Sequence, residues 1–227
     1  MYKSGFALER LIIIQRLTDY SIAGHKPLHC NSSGQGPDPW RSAYKEDEGQ
    51  CGLRTNQTSV LRVGWERNQP TFGLEALFHQ MGVDMNICGH VHDYERRWPT
   101  LADRVLATNY INPQTFVHVM SGVGGVEADY QVFDERSNAP CSALRINGTI
   151  APGFGMLTIH NHTHLTFAEV NASAPAGTPD NTVDEFTIVQ HRHHSRRPLK
   201  LDDDTASPCY PDTHNNAPSV AHLLRVR

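Results

Sequence analysis

Residues 71–88 constrain the fold more than any other stretch of the chain. Thr71 can cap a helix, and Leu74, Leu77, Phe78 and Met81 recur at i, i+3, i+4 and i+7, the spacing of one buried helical face. Gly82 then predicts a C-terminal stop. Val83 to Cys88 is short and apolar and reads as a buried strand. A helix that feeds a buried strand predicts an α/β sheet, and in such sheets the carboxyl edge is where sites are built.

At that edge stand Gly89-His90-Val91-His92. Imidazole is the commonest metal-ligand side chain. If the backbone is extended here, the two rings share a side and sit roughly 6.5 Å apart, at a rise of about 3.3 Å per residue. That is wide for one ion but suits two ions about 3.5–4 Å apart. Gly89 lets backbone approach such a site. The plain alternative is a pair of surface histidines at a strand end. Cys88 reads as a core thiol. Asp93 can take a ligand ring's second N–H or cap a turn. Tyr94, Glu95 and Arg96 read as packing and structural ion-pair residues.

The segment resembles the last metal-binding motif, Gly-His-x-His, of the metallophosphoesterases. Its continuation, Asp93-Tyr94-Glu95-Arg96-Arg97-Trp98-Pro99, is similar to the purple acid phosphatases, as are Phe72-Gly73-Leu74-Glu75-Ala76-Leu77-Phe78 and Gly82-Val83-Asp84. The likeness is to animal-type iron/zinc purple acid phosphatase-like proteins and runs from about Ile22 to His193. Gly24-His25-Lys26-Pro27 resembles the family's Gly-His-Arg-Pro element, whose histidine is a ligand. The resemblance implies an α/β fold, the C-terminal part of a metallophosphoesterase four-layer α/β/β/α sandwich, incomplete here. It divides the chain into a poorly matching segment 1–20, a phosphoesterase portion 21–193 and a flexible tail 194–227.

By that resemblance His25 and His90 bind a divalent ion (zinc, iron or manganese), and His92 binds Fe(III). The substrate is a phosphomonoester. The bridging aspartate, second aspartate, tyrosinate and asparagine come from Asp-x-Gly, Gly-Asp-x-x-Tyr and Gly-Asn-His-Glu/Asp motifs, which residues 1–24 do not contain. Three neutral imidazoles are a poor site for two highly charged ions, because hard cations want oxygen ligands. The expectation is therefore a truncated acid phosphatase without turnover of its own. A non-catalytic remnant or binding protein of the same fold, and a dinuclear-metal phosphodiesterase, are the rivals. Many relatives also place histidines between the positions of His29 and His79 to help the leaving group, and this chain has none there. Cys30 and Cys51 resemble an animal-type disulfide.

Elsewhere the patterns are simpler. Leu8, Leu11 and Ile12 begin a helical spacing that Gln15 breaks. Residues 116–121 predict a strand that carries His118 as a core or surface residue, followed by Gly122-Val123-Gly124-Gly125. That cluster lacks the Lys and Ser/Thr of a phosphate loop and resembles a structural turn of the family. Alternation over 153–170 predicts a hairpin turning at Asn161-His162, and 183–189 a last strand. His160, His162 and His164 imitate a metal site, but they flank an exposed turn.

With 227 residues, 38% hydrophobic and 19% charged, the chain can bury one real core. A net charge of −4 gives no basic field for nucleic acid, and no apolar run is long enough to span a membrane. Five sequons, at Asn31, Asn56, Asn147, Asn161 and Asn171, predict a secreted or lysosomal glycoprotein. Lys3, Glu9, Arg10 and Arg16 deny residues 1–20 the form of a signal peptide, so a natural beginning further upstream is expected. Composition leaves the oligomeric state open.

Overall fold

A computed structural model describes residues 12–16, 19–25, 27–29, 65–66, 69–70, 73–102, 104–124, 140–146, 152–173, 175, 181–191 and 207–208. The strands are β1 (Ile12–Arg16), β2 (Asp19–Gly24), β3 (Trp65–Glu66), β4 (Gln69–Pro70), β5 (Met85–Cys88), β6 (Tyr94–Arg97) and β7 (Thr100–Leu101). They continue with β8 (Arg104–Val105), β9 (Val117–Ser121), β10 (Ser142–Ile146), β11 (Gly153–Ile159), β12 (His164–Asn171), β13 (Thr182–Val189) and β14 (Ser207–Pro208). Among the described residues one helix, α1 (Leu74–Gln80), lies between β4 and β5.

Six strands form a mixed sheet in the order β1-β2-β5-β9-β6-β10. Its centre is parallel: β2 pairs with β5, and β5 with β9. Central parallel strands are covered on both faces, which is why β9 reads Val117-His118-Val119-Met120 without polar alternation and is buried throughout those four residues. Val117 and Val119 face the antiparallel sheet β11-β12-β13 and join Met85, Tyr94, Leu165, Phe167, Phe186 and Ile188 in the main core. On the other face, Phe78 of α1 packs with Leu28, Val83 and Phe116. The described layers are thus helix, mixed sheet and antiparallel sheet, an α/β arrangement.

The helix departs from its predicted face. Leu77 and Met81 are 43% and 59% exposed, whereas Glu75, Phe78 and His79 are buried. Polar partners decide this. Glu75 Oε1 accepts from the Ala102 N–H at 3.1 Å and meets His29 Nε2 at 3.2 Å, and His79 Nδ1 lies 3.2 Å from the Thr115 hydroxyl. Gly73 is the N-cap without a side-chain cap, and Thr71 lies outside the described residues. Gly82 stops the helix with φ of 71°, as predicted.

Residues 12–16 form a strand and not the start of a helix, for Ile12-Ile13-Ile14 are consecutive β-branched residues, which favour a pleated surface. Within the predicted tail, Ser207–Pro208 pairs with β8. Cys141 is disulfide-bonded, and Cys88 is free and buried. The Cys30–Cys51 pairing lies outside the described residues. No helix among the described residues is long and apolar enough to cross a membrane.

Candidate metal centre

Three neighbouring parallel strands end at one edge. Gly24 is in register with Cys88, and Cys88 with Met120. The next residues along each strand are His25, Gly89-His90 and Ser121-Gly122. The ladder's last rung across this edge is the Gly89 N–H donating to the His25 carbonyl at 3.1 Å. Two imidazoles far apart in sequence therefore meet: His90 Nδ1 stands 3.1 Å from His25 Nε2, and the rings are edge to face at 4.8 Å between centroids. His25 is exposed and His90 half-buried.

The His-x-His stretch is not extended. His90 has φ of 68°, in the left-handed region, where a non-glycine residue is strained. The Val91 N–H donates to the Gly89 carbonyl at 2.8 Å, and the Asp93 N–H to the Val91 carbonyl at 2.9 Å. This coil turns His90 toward His25 and away from the same-side geometry that an extended strand gives. Val91 is its anchor, buried with Cys88 and Met120. His92 is half-buried. Among the described residues no group of three or more His, Cys, Asp or Glu side chains is placed to hold one ion.

Asp93 is 1% exposed, and its carboxyl oxygens find no hydrogen-bond partner among the described residues. Burial pushes its carboxyl well up, with Glu95 nearby adding to the effect. Cys88, also buried, has its thiol pushed up by burial and then by Asp93 and Glu95, as befits a core thiol. It lies 3.6 Å from His118 Nε2. His118 is buried, and burial pushes its imidazole well below the usual range, with His29 adding to this.

Tyr94, Glu95 and Arg96 scaffold, as predicted. Arg96 donates twice to Asp184 of β13, from Nε at 2.7 Å and from an Nη at 2.9 Å, while the Tyr94 hydroxyl donates to Asp184 Oδ2 at 2.6 Å. Glu95 is buried against Arg97, Arg145 and the Ser142 hydroxyl. The histidine triplet is not a cluster of ligands: His160 contacts Thr166, and His164 contacts Thr163 beside the exposed turn. Sequence reasoning gave Asp184 no role of its own; the alternation of β13 was its signal.

Residues 115–184 match a family model described as iron/zinc purple acid phosphatase-like protein C. Over that span the chain is similar to the purple acid phosphatase-like proteins. Acid phosphatase type 7 of Danio rerio is 29% identical over 175 residues, which are 75% of this chain and 34% of that protein. Acid phosphatase type 7 of Mus musculus is 32% identical over 152 residues, 65% of this chain and 30% of that protein. The chain thus spans about a third of the length of the curated relatives it matches. A purple acid phosphatase from yellow lupin seeds, 23% identical, shares the fold with a TM-score of 0.52 over 75% of this chain and 24% of its own. The purple acid phosphatase fold accounts for the sheet-rich α/β architecture.

Proposed function

We propose that this chain carries the histidine side of a phosphomonoesterase centre of the purple, dinuclear-metal type, within residues 21–193. One observation carries the reading: His25 and His90 converge at 3.1 Å from adjacent parallel strands. Two imidazole nitrogens each about 2.1 Å from one ion stand roughly 3.0–3.4 Å apart, so the pair fits one divalent ion (zinc, iron or manganese). His92 is the ligand assigned to Fe(III). Asp93, next in sequence and buried with both carboxyl oxygens unpartnered among the described residues, is the acceptor this reading assigns to a ligand ring's second N–H once a metal is bound. When bound, such a centre supplies an acidified water and positive charge against the phosphoryl oxygens of a monoester. This chain's own residues bind and orient; the carboxylates that would bridge two ions are not among the three histidines.

A zinc titration by calorimetry, with His25→Ala and His90→Ala, tests this. The expected result is binding by the parent and loss in both variants; binding unchanged in His90→Ala overturns it. With iron and zinc added, we expect no turnover of an aryl phosphate by the chain alone. A second reading, a binding protein that keeps the fold, is favoured by the lack of a three-ligand group among the described residues. It predicts no zinc affinity at this edge. A phosphodiesterase would turn over a bis-aryl phosphate in preference to the monoester.

We also infer a secreted or lysosomal glycoprotein. Asn161 sits in the exposed turn between β11 and β12, where its side-chain oxygen accepts from the Thr163 N–H and hydroxyl, both at 2.8 Å. Asn171 ends β12 and accepts from the Ser173 N–H at 2.9 Å. Expression in secreting cells should give a chain whose gel mobility rises on N-glycosidase treatment, and whose change in mobility shrinks in Asn161→Gln.

A further inference from the structure

We propose that Gly122 is a positioning residue for the His90–His92 loop, an inference that rests on the histidine-centre reading. Gly122 follows β9 and packs directly against that loop. A Cβ built at Gly122 would lie 1.7 Å from the Val91 carbonyl oxygen, 2.7 Å from its carbon and 3.4 Å from His92 Cα. These are backbone atoms, so no rotamer change relieves the clash; the loop itself must move. The Gly122 N–H also donates to the Asp93 carbonyl at 3.0 Å. One residue thus meets the loop at Val91, His92 and Asp93, between and just after the two histidines.

The geometry explains why a glycine cluster stands here without the Lys and Ser/Thr of a phosphate loop. Its first member is a seat for backbone. Val91 is held from below by Cys88 and Met120, and Gly122 closes over its carbonyl. A side chain at 122 would push Val91 off that anchor, carrying His90 away from His25 and turning His92. Gly124 has no such duty, since a Cβ there meets only the Gly153 carbonyl at an ordinary 3.8 Å.

The test compares the parent chain with Gly122→Ala and Gly124→Ala. Zinc affinity is read by calorimetry, and histidine ring protons and amide exchange by NMR. Gly122→Ala should weaken zinc at least about tenfold, the loss typical when a ligand's support is removed, while Gly124→Ala stays within about twofold. Coupling is reciprocal, so zinc should slow amide exchange at Gly122 in the parent. Equal zinc affinity in both variants, or a Gly122 amide insensitive to saturating zinc, overturns the proposal and leaves the metal reading standing. If the parent binds no zinc, the metal reading fails. The seat is then judged on the metal-free spectra, where Gly122→Ala must move the His25 and His90 resonances and Gly124→Ala must not; unmoved resonances overturn it. Should Gly122→Ala not fold, amide exchange in the zinc-bound parent decides.

Discussion

Asp184 takes three hydrogen bonds from two side chains of β6, and it does so at a buried position between two sheets. Arg96 also lies over the rings of Tyr110 and Phe186, at 5.3 and 4.9 Å to their centroids. Removing one member of a buried pair strands the other charge. We therefore expect Arg96→Ala to lower stability by about 3–5 kcal/mol, read as a shift in the urea midpoint; a loss below about 1 kcal/mol would mean that the strap is idle. Glu169 poses the opposite case, a carboxyl buried on β12 with no cation paired to it among the described residues. Burial pushes it from 4.5 up to about 7, the nearby Ser121 hydroxyl offsetting part of the rise and Asp184 adding to it. Between those two values the folded chain keeps a proton that the unfolded chain releases. Stability then falls as pH rises across that window, by about 1.4 kcal/mol for each tenfold drop in proton concentration. Glu169→Gln should flatten this: its urea midpoint should exceed the parent's at pH 7.5 by more than at pH 5. Equal differences at the two pH values would remove Glu169 from the account.

At the scale of elements, α1 shows what periodicity alone conveys. The i, i+3, i+4 spacing locates the helix, and Gly82 locates its end. Periodicity misplaces the buried side because apolar spacing cannot reveal that Glu75 and His79 find partners on His29, Ala102 and Thr115, all distant in sequence. A partnered polar side chain can outcompete a leucine for an interior position, since its hydrogen bonds offset desolvation. Leu77→Ala and Met81→Ala should therefore each change stability by under about 0.5 kcal/mol, whereas Phe78→Ala should cost about 3–5 kcal/mol. A large loss at Leu77 would restore the apolar face. The hairpin β11–β12 and strand β13 are readable from alternation, because period two is a local signal. The coil at His90 is not, since its shape comes from Gly122 and the buried Val91.

For the molecule as a whole, the motif resemblance singles out His25, His90 and His92 from residue order alone, and the structure sets His25 and His90 just beyond the ends of β2 and β5. The motifs cannot say how the strands are ordered, because pairing is a contact between remote segments. The observed order β2-β5-β9 supplies that, and it brings His25 to His90 while leaving the described residues without a three-ligand group. From this we expect one weak divalent site per chain. Zinc should bind with a stoichiometry near one, and chelator should reverse the binding without unfolding the protein, as followed by circular dichroism; collapse on zinc removal would mark a structural ion instead.

The rung that sets Gly24 opposite Cys88 has a further consequence for how such a chain tolerates change. Insertions between the two strands leave the imidazole spacing alone, since the hydrogen-bond ladder and not the connecting segment measures it. Deleting one residue inside either strand is another matter: a single-step slip turns every side chain to the opposite face, and the two rings part company. Length variation among related chains is thus expected to gather between β2 and β5 and to stop short of both.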